Sequence, residues 1–319
     1  MRRLRATLSA LIVLSFVVWA AWYVYFHHEE FLAIKEVSWF NLMLLYGAFL
    51  VIVAFNGKFI EVVSIAFDVR LERVEWLMLS AASSFANYFL PFRGGAGMRA
   101  LYLAKVHGLS FTHFLATVGI MFLTYAVANG LLALIGMTLI VLSGGPVDVT
   151  LTVFFALVTI AGFVLMKYDR IPNIRPEHFL LKQLHHILLG WTMIKRKDGL
   201  ILRLWLIISI ISLASIWQCK VAFAAISVPL SWGGVILYAA SKNMALLISL
   251  TPGSFGIVET ISIYLGNVLG YTTAQALLVQ ALIRVVAISA LLVIGPLAIL
   301  FLKRRLVGFD RNPTAPPIR

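Results

Sequence analysis

The chain has 319 residues, of which 61% are hydrophobic and only 12% charged, and its mean hydropathy is +0.97. A soluble domain carries about 25% charged residues, so this composition excludes one, and recurring windows of about 20 apolar residues, long enough to cross a bilayer core, indicate a polytopic membrane protein. The net charge of +13 is spread between apolar segments, without a basic stripe interleaved with aromatics, so it is assigned to topology and anionic lipid and not to nucleic acid.

In chain order, Arg2, Arg3 and Arg5 precede an apolar run from Leu8 to Phe26. That run is too long for a signal peptide and ends in His27, His28, Glu29 and Glu30 without a small-residue cleavage site, so a retained first helix is expected. Further full spans are expected at Trp39 to Lys58, Phe111 to Leu142, Val149 to Lys167, Ile201 to Ile226 and Ala274 to Leu302, making six in all. Two apolar segments are interrupted. The first, 76–108, is broken at Pro91-Phe92-Arg93-Gly94-Gly95, with Gly97 following; the second, 232–270, is broken at Pro252-Gly253-Ser254-Phe255-Gly256. Proline and glycine at this density do not fit an unbroken helix.

Between the spans, the stretch 168–200 places Leu180, Leu181, Leu184, Ile187, Leu188 and Trp191 at helical spacing after Pro176, with Lys182, His185 and His186 between them. This pattern suits a cytoplasmic interfacial helix on an anionic leaflet. The adjacent histidines diverge by about 100° on a helix, so they are not expected to chelate one metal. The single cysteine, Cys219, lies within a span and reads as a packing residue, with neither a disulfide framework nor a thiolate cluster. The tail 306–319, with three prolines after Asn312, is expected to be disordered.

Lysine and arginine placement orients the chain. The N-terminal arginines, the Lys58 to Arg73 connection, the stretch from Lys167 to Arg203 and Lys303-Arg304-Arg305 are basic and are expected to be cytoplasmic. The connections His27 to Ser38, Ser143 to Asp148 and Ser227 to Ser231 are poor in basic residues and face outward. These sides agree only if each interrupted segment enters and leaves on one side, as a re-entrant hairpin. The expected fold is therefore all-α: one transmembrane domain over 1–319, six full helices and two re-entrant helical hairpins, with both termini cytoplasmic. Residues 39–142 and 201–302 then form two repeats of opposite orientation, a recurring plan of transporters.

Ionisable groups inside spans are expensive and so become functional candidates. They are Arg93, Arg99, Lys242, Glu259 and Arg284 in or after the hairpins, and Lys220 near the outer end of its span. Glu259 falls in the first turn after the second break, where the positive end of a half-helix favours a carboxylate, and Arg284 is its expected partner at similar depth. In the first hairpin Gly94, Gly95 and Gly97 expose backbone amides beside Arg99, a combination suited to phosphate. For Arg93, Arg99, Glu259 and Arg284, substrate binding stands beside structural ion pairing. Lys220 and Lys242 are expected to reach toward headgroups. Asn87, Tyr88, Thr124, Asn129 and Asn243 suit either a polar path or interhelical hydrogen bonds. No P-loop, metalloprotease helix, nucleophile elbow or carboxylate pair is present, so no catalytic residue, metal or cofactor is expected.

Pro91, Gly95, Ala96 and Arg99 in the first hairpin, and Pro252, Gly253, Ser254, Gly256 and Glu259 in the second, resemble the lysylphosphatidylglycerol synthase/flippase transmembrane family. Its hairpins read Pro-x-x-x-Gly-Glu-x-x-Arg and Pro-Gly-Gly-x-Gly-x-x-Glu, and Arg284 matches an arginine expected in the following helix. The similarity spans Leu42 to Leu302. Ala96 stands where the family usually has an acid, and Met121-Phe122 where a Glu-Arg pair is common. The resemblance implies a stand-alone lipid-translocating domain of the inner membrane, without the synthase reaction. Its expected partners are membrane phospholipid and anionic headgroups, and a homo-oligomer or a membrane-enzyme partner stays open. The expected function is a flippase or scramblase for an anionic phospholipid or lipid-linked phosphate; the alternative is a membrane scaffold of a lipid-modifying or glycosyltransferase complex.

Overall fold

The computed structural model describes residues 37–90, 94–146, 148–167, 179–248 and 251–311. The expected first helix, Pro91 and Arg93, the stretch 168–178 and the tail from Asn312 lie outside these residues. Ten α-helices and no strand form among the described residues. They are α1 (Trp39–Ile65), α2 (Arg73–Phe89), α3 (Gly94–His107), α4 (Phe111–Leu142), α5 (Val149–Lys167), α6 (Phe179–Lys195), α7 (Leu200–Ala225), α8 (Trp232–Leu247), α9 (Ile257–Leu269) and α10 (Thr273–Arg311). Five of them, α1, α4, α5, α7 and α10, are long and apolar enough to cross a membrane. The chain is a multi-pass membrane protein.

Serine caps set several helix starts by accepting an otherwise orphaned amide hydrogen. Ser38 accepts from Asn41 N–H, Ser110 from His113 N–H and Ser231 from Gly234 N–H. Two boundaries differ from the sequence expectation. Helix α1 continues past Lys58 to Ile65, with Lys58 paired to Glu61 one turn on. Helix α10 runs to Arg311, into the expected tail, because Arg305 is ion-paired to Glu72 and Glu75 and holds that end against the start of α2.

The outside of the bundle is apolar. Leu202, Leu206, Ile210, Leu213 and Trp217 form an exposed stripe along α7, and Val153, Leu157, Ile160 and Val164 do so on α5. These faces suit contact with lipid chains, which accept apolar side chains and offer no partner to polar ones. Polar side chains collect inside instead.

The principal packing is α1 on α7, α8 on α4, α2 on α10 and α6 on α4. Helices α2 and α3 pack on each other across their break, as do α8 and α9 across theirs. At the α4–α8 crossing the backbones touch: a Cβ added to Gly136 would lie 2.8 Å from the Gly233 carbonyl oxygen, and the converse holds at 2.8 Å. Small residues permit such close approach. Helix α6 does not lie free on a leaflet. Leu188 and Trp191, expected to face lipid, are buried, and Trp191 Nε1 donates to Met166 O at 2.6 Å. The reason is Gly190, which sits so close to α4 that a Cβ there would come 2.4 Å from the Ala116 carbonyl oxygen.

Candidate functional site: a cationic cavity between two broken helices

The second break begins where α8 ends at Leu247 and resumes as a short 3-10 turn, Pro252–Ser254. Gly253 and Gly256 take φ of +55° and +82°, a region open to glycine at little cost. Ser254 shares it at φ +53°. Thr251 Oγ1 donates to Phe255 O at 2.7 Å and closes the turn.

Glu259 and Arg284 are both buried and hold this turn together. Glu259 Oε2 accepts from Gly256 N–H at 2.8 Å, and Oε1 accepts from Arg284 Nε at 2.5 Å. Arg284 Nη1 donates to Gly253 O at 2.9 Å, and its guanidinium lies 3.8 Å from the Phe255 ring centroid. The carboxylate therefore caps the new helix, while the arginine draws the broken strand of backbone onto α10. In this conformation Arg284 is committed to its own turn.

The first break separates α2, ending at Phe89, from α3, starting at Gly94. Gly95 N–H donates to Asn87 Oδ1 at 2.9 Å, and a Cβ on Gly95 would sit 1.9 Å from the Ser83 carbonyl oxygen. Only glycine fits there. Gly97 makes no such approach, since a Cβ added to it meets nothing within 4 Å. Arg99, on the second turn of α3, is buried with its guanidinium 5.5 Å from the Phe114 ring centroid.

A cavity of about 300 Å³ lies between the two breaks. Its polar lining includes Asn87, Arg99, Gln218, Lys242, Asn243 and Arg284, so the structure brings Arg99 and Arg284 to one space, while Arg93 lies outside the described residues. Three cations and no carboxylate appear among the described lining residues. Ala96 and Met121, two positions where the chain departs from the pattern it resembles, also line the cavity.

Lys242 corrects the sequence expectation. It is 5% exposed and lines the cavity, instead of reaching toward headgroups, because α8 presents that face to α7 and Gln218. Lys220 likewise turns inward to the chain, donating to Leu230 O at 2.7 Å over the Trp232 ring. Asn87 and Asn243 line the cavity and are also hydrogen-bonded, whereas Asn129 is hydrogen-bonded outside the lining. Asn243 lines the cavity while donating to Asn129 Oδ1 at 3.0 Å, and it accepts from Ser215 Oγ at 3.1 Å. Thr124 returns its hydroxyl to Ile120 O at 2.7 Å and is no part of the lining.

Several residues that sequence reasoning passed over belong to the same interior. Gln218 and Gln280 line the cavity, and Tyr125 donates to Asn56 Oδ1 at 2.7 Å within it. Their signal was present as amides and a phenol within apolar helices. A second polar cluster escaped because its members are far apart in sequence. Glu75, 1% exposed, accepts from Tyr102 OH at 2.7 Å, meets His107 Nε2 at 2.7 Å and pairs with Arg305 Nη1 at 3.4 Å. Burial pushes the Glu75 carboxyl up, but hydrogen bonds from His107, Tyr102 and the Glu72 N–H outweigh it and hold its pKa below the ordinary value.

A family model described as "Lysylphosphatidylglycerol synthase TM region" matches residues 7–295, a range containing both breaks and the whole cavity lining. No curated protein and no solved structure matches the chain significantly.

Proposed function

Because the chain belongs to the lysylphosphatidylglycerol synthase transmembrane-region family, we propose that it is a flippase or scramblase. It moves an anionic phospholipid or a lipid-linked phosphate across the cytoplasmic, inner membrane. In this reading residues 8–26 supply a sixth span, α2–α3 and α8–α9 are re-entrant hairpins from opposite sides, the two repeats run antiparallel, and both termini are cytoplasmic. The reciprocal packing of α2 on α10 and α8 on α4 supports that arrangement. It is the pairing that exchanging the two halves would leave unchanged.

The observation that carries the proposal is the cavity where both breaks meet, lined by three cations and no carboxylate among the described residues. A lipid headgroup enters from the side while its acyl chains stay in the bilayer. Arg99, on the first hairpin, receives phosphate from the cytoplasmic face. Arg284 receives it from the other, exchanging its bonds to Glu259 and the Gly253 carbonyl for phosphate oxygens. A buried arginine is too costly to leave without a counter-charge, so its pairing alternates with occupancy. The reading requires no covalent step and no cofactor.

The test reconstitutes the purified chain in liposomes carrying fluorescent lipids of different headgroups and follows access of a membrane-impermeant quencher. Wild type is expected to translocate anionic lipids, and Arg99→Ala and Arg284→Ala to slow this about 10-fold or more, the scale of a lost charge-assisted hydrogen bond. A well-folded preparation that moves no lipid, or arginine variants that match wild type, would sink the proposal.

A further inference from the structure

One cluster of titratable side chains lies outside the cavity and takes no part in the lipid path proposed above. Glu75, 1% exposed, sits in the first turn of α2 and closes that helix start by accepting from Glu72 N–H at 3.0 Å. Its Oε1 also accepts from Tyr102 OH and from His107 Nε2, both at 2.7 Å, and Arg305 Nη1 lies 3.4 Å from its Oε2. Arg305 is paired to Glu72 as well. Three elements therefore meet on one carboxylate: the start of α2, the end of α3 and the end of α10. An ionised carboxylate only accepts hydrogen bonds, so His107 donates here. Unlike Glu75, the His107 side chain is 11% exposed, which gives protons access to it.

Histidine ordinarily changes charge between about pH 5 and 8. With His107 protonated, two cations, His107 and Arg305, face two carboxylates, Glu72 and Glu75, and the charges of these four groups cancel. Once His107 is neutral, one negative charge is left over among the four, and the bond from Nε2 loses its charge assistance where α3 is tied to α2. The hydrogen bonds that hold the Glu75 pKa below its ordinary value keep that carboxyl ionised through this range, so the imidazole is the group that changes. The other charged groups on the elements packed against α2 are turned elsewhere. On α1, Lys58 pairs with Glu61 and lies over the Trp76 ring at 5.6 Å. Arg70 and Arg73 before and within α2, Lys105 on α3, and Lys303 and Arg304 on α10 are exposed, and the 3-10 turn Pro252–Ser254 carries no charged side chain.

We propose that Glu75 and His107 form a proton-binding latch, which holds the first hairpin against α10 while His107 is charged and releases it when the proton leaves. Helix α3 is 14 residues long and carries Arg99 about two turns before His107. An end set free at His107 therefore lets the same helix move its Arg99 end within the cavity. Resting on the transport reading above, this makes lipid movement proton-linked, faster as His107 loses its charge, with the latch on the cytoplasmic side in the proposed orientation.

The test reads the latch apart from transport, by pulsed EPR on the full chain in lipid nanodiscs. Ala104→Cys and Val307→Cys, both exposed and outside the cluster, carry spin labels in a Cys219→Ser background. With His107 intact, one short distance is expected at pH 6, and by pH 8 the ratio of a longer-distance population to the short one should rise about 10-fold, the scale of a lost charge-assisted hydrogen bond. His107→Gln, neutral at any pH, should show the pH 8 distribution throughout, and His107→Arg, charged at any pH, the pH 6 distribution throughout. In liposomes with equal pH on both sides, lipid movement should be several-fold faster at pH 8 than at pH 6, and neither variant should keep that dependence.

Distances that stay the same between pH 6 and 8, or a change that survives His107→Gln, overturn the latch. Glu75→Gln should also abolish the pH dependence; should that variant not fold, the two His107 variants, at a part-exposed position, still decide. Lipid movement at one rate at both pH values overturns the proton link to transport. If the distances respond through His107 while no lipid moves, the latch stands and the transport reading alone falls.

Discussion

Glu259 faces two partners at once: the Gly256 amide at the start of its own helix and the Arg284 guanidinium from α10. Removing its charge while keeping its shape, by Glu259→Gln, leaves the buried Arg284 without a counter-ion and should destabilise the folded protein by about 3–5 kcal/mol. The double replacement Glu259→Leu with Arg284→Leu should cost less than either single change, as thermal unfolding in detergent will measure. Glu75 supplies a pH-dependent counterpart. Its carboxyl pKa is lower folded than unfolded, so the stability it contributes is fully present above the ordinary carboxylate range and is lost as pH falls through the lowered value. Glu75→Gln should therefore flatten the acid side of the stability profile, a comparison of melting temperatures across pH. The Glu259–Arg284 pair was legible in the sequence because a break followed by a carboxylate has one favourable electrostatic arrangement. Lys242 was not, because whether a lysine snorkels or turns inward depends on the face its helix presents to α7. The Glu75 cluster was out of reach for a different reason: its side chains come from residues 75, 102, 107 and 305, and no local pattern joins them.

At the level of elements, the two breaks were visible because proline and glycine act through the backbone, independently of tertiary context. What composition could not supply was the closeness of the limbs. Gly95 lies against the Ser83 carbonyl, so Gly95→Ala must push α3 from α2, at a cost of about 1–3 kcal/mol typical of overpacking. Gly97→Ala, with open space around its Cβ position, serves as the matched control and should stay within about 0.5 kcal/mol of wild type. Helix α6 illustrates the opposite limit of periodicity. Its apolar spacing identified a helix with one buried face, but the pattern is the same whether that face meets lipid or, as Leu188 and Trp191 do, protein.

For the molecule as a whole, the proposed orientation makes a direct prediction about sidedness. Cys219 is fully buried, so a Cys219→Ser background removes the native thiol from consideration. Single cysteines at Ser143 and Asp198, both exposed, should then react with a membrane-impermeant maleimide from opposite faces, Ser143→Cys from outside and Asp198→Cys from the cytoplasm. Labelling of both from one face would contradict the topology. The reciprocal packing of the halves also bears on how the chain is made. Helix α2 finds its principal partner in α10, which begins at Thr273 and leaves the ribosome after every other described helix. The earliest broken helix thus waits through most of synthesis before the surface it needs exists, and its polar tip must be sheltered meanwhile by other parts of the growing chain or by the insertion machinery. A stop anywhere before Thr273 strands both halves at once, which makes the integrity of the last helix a checkpoint for the first.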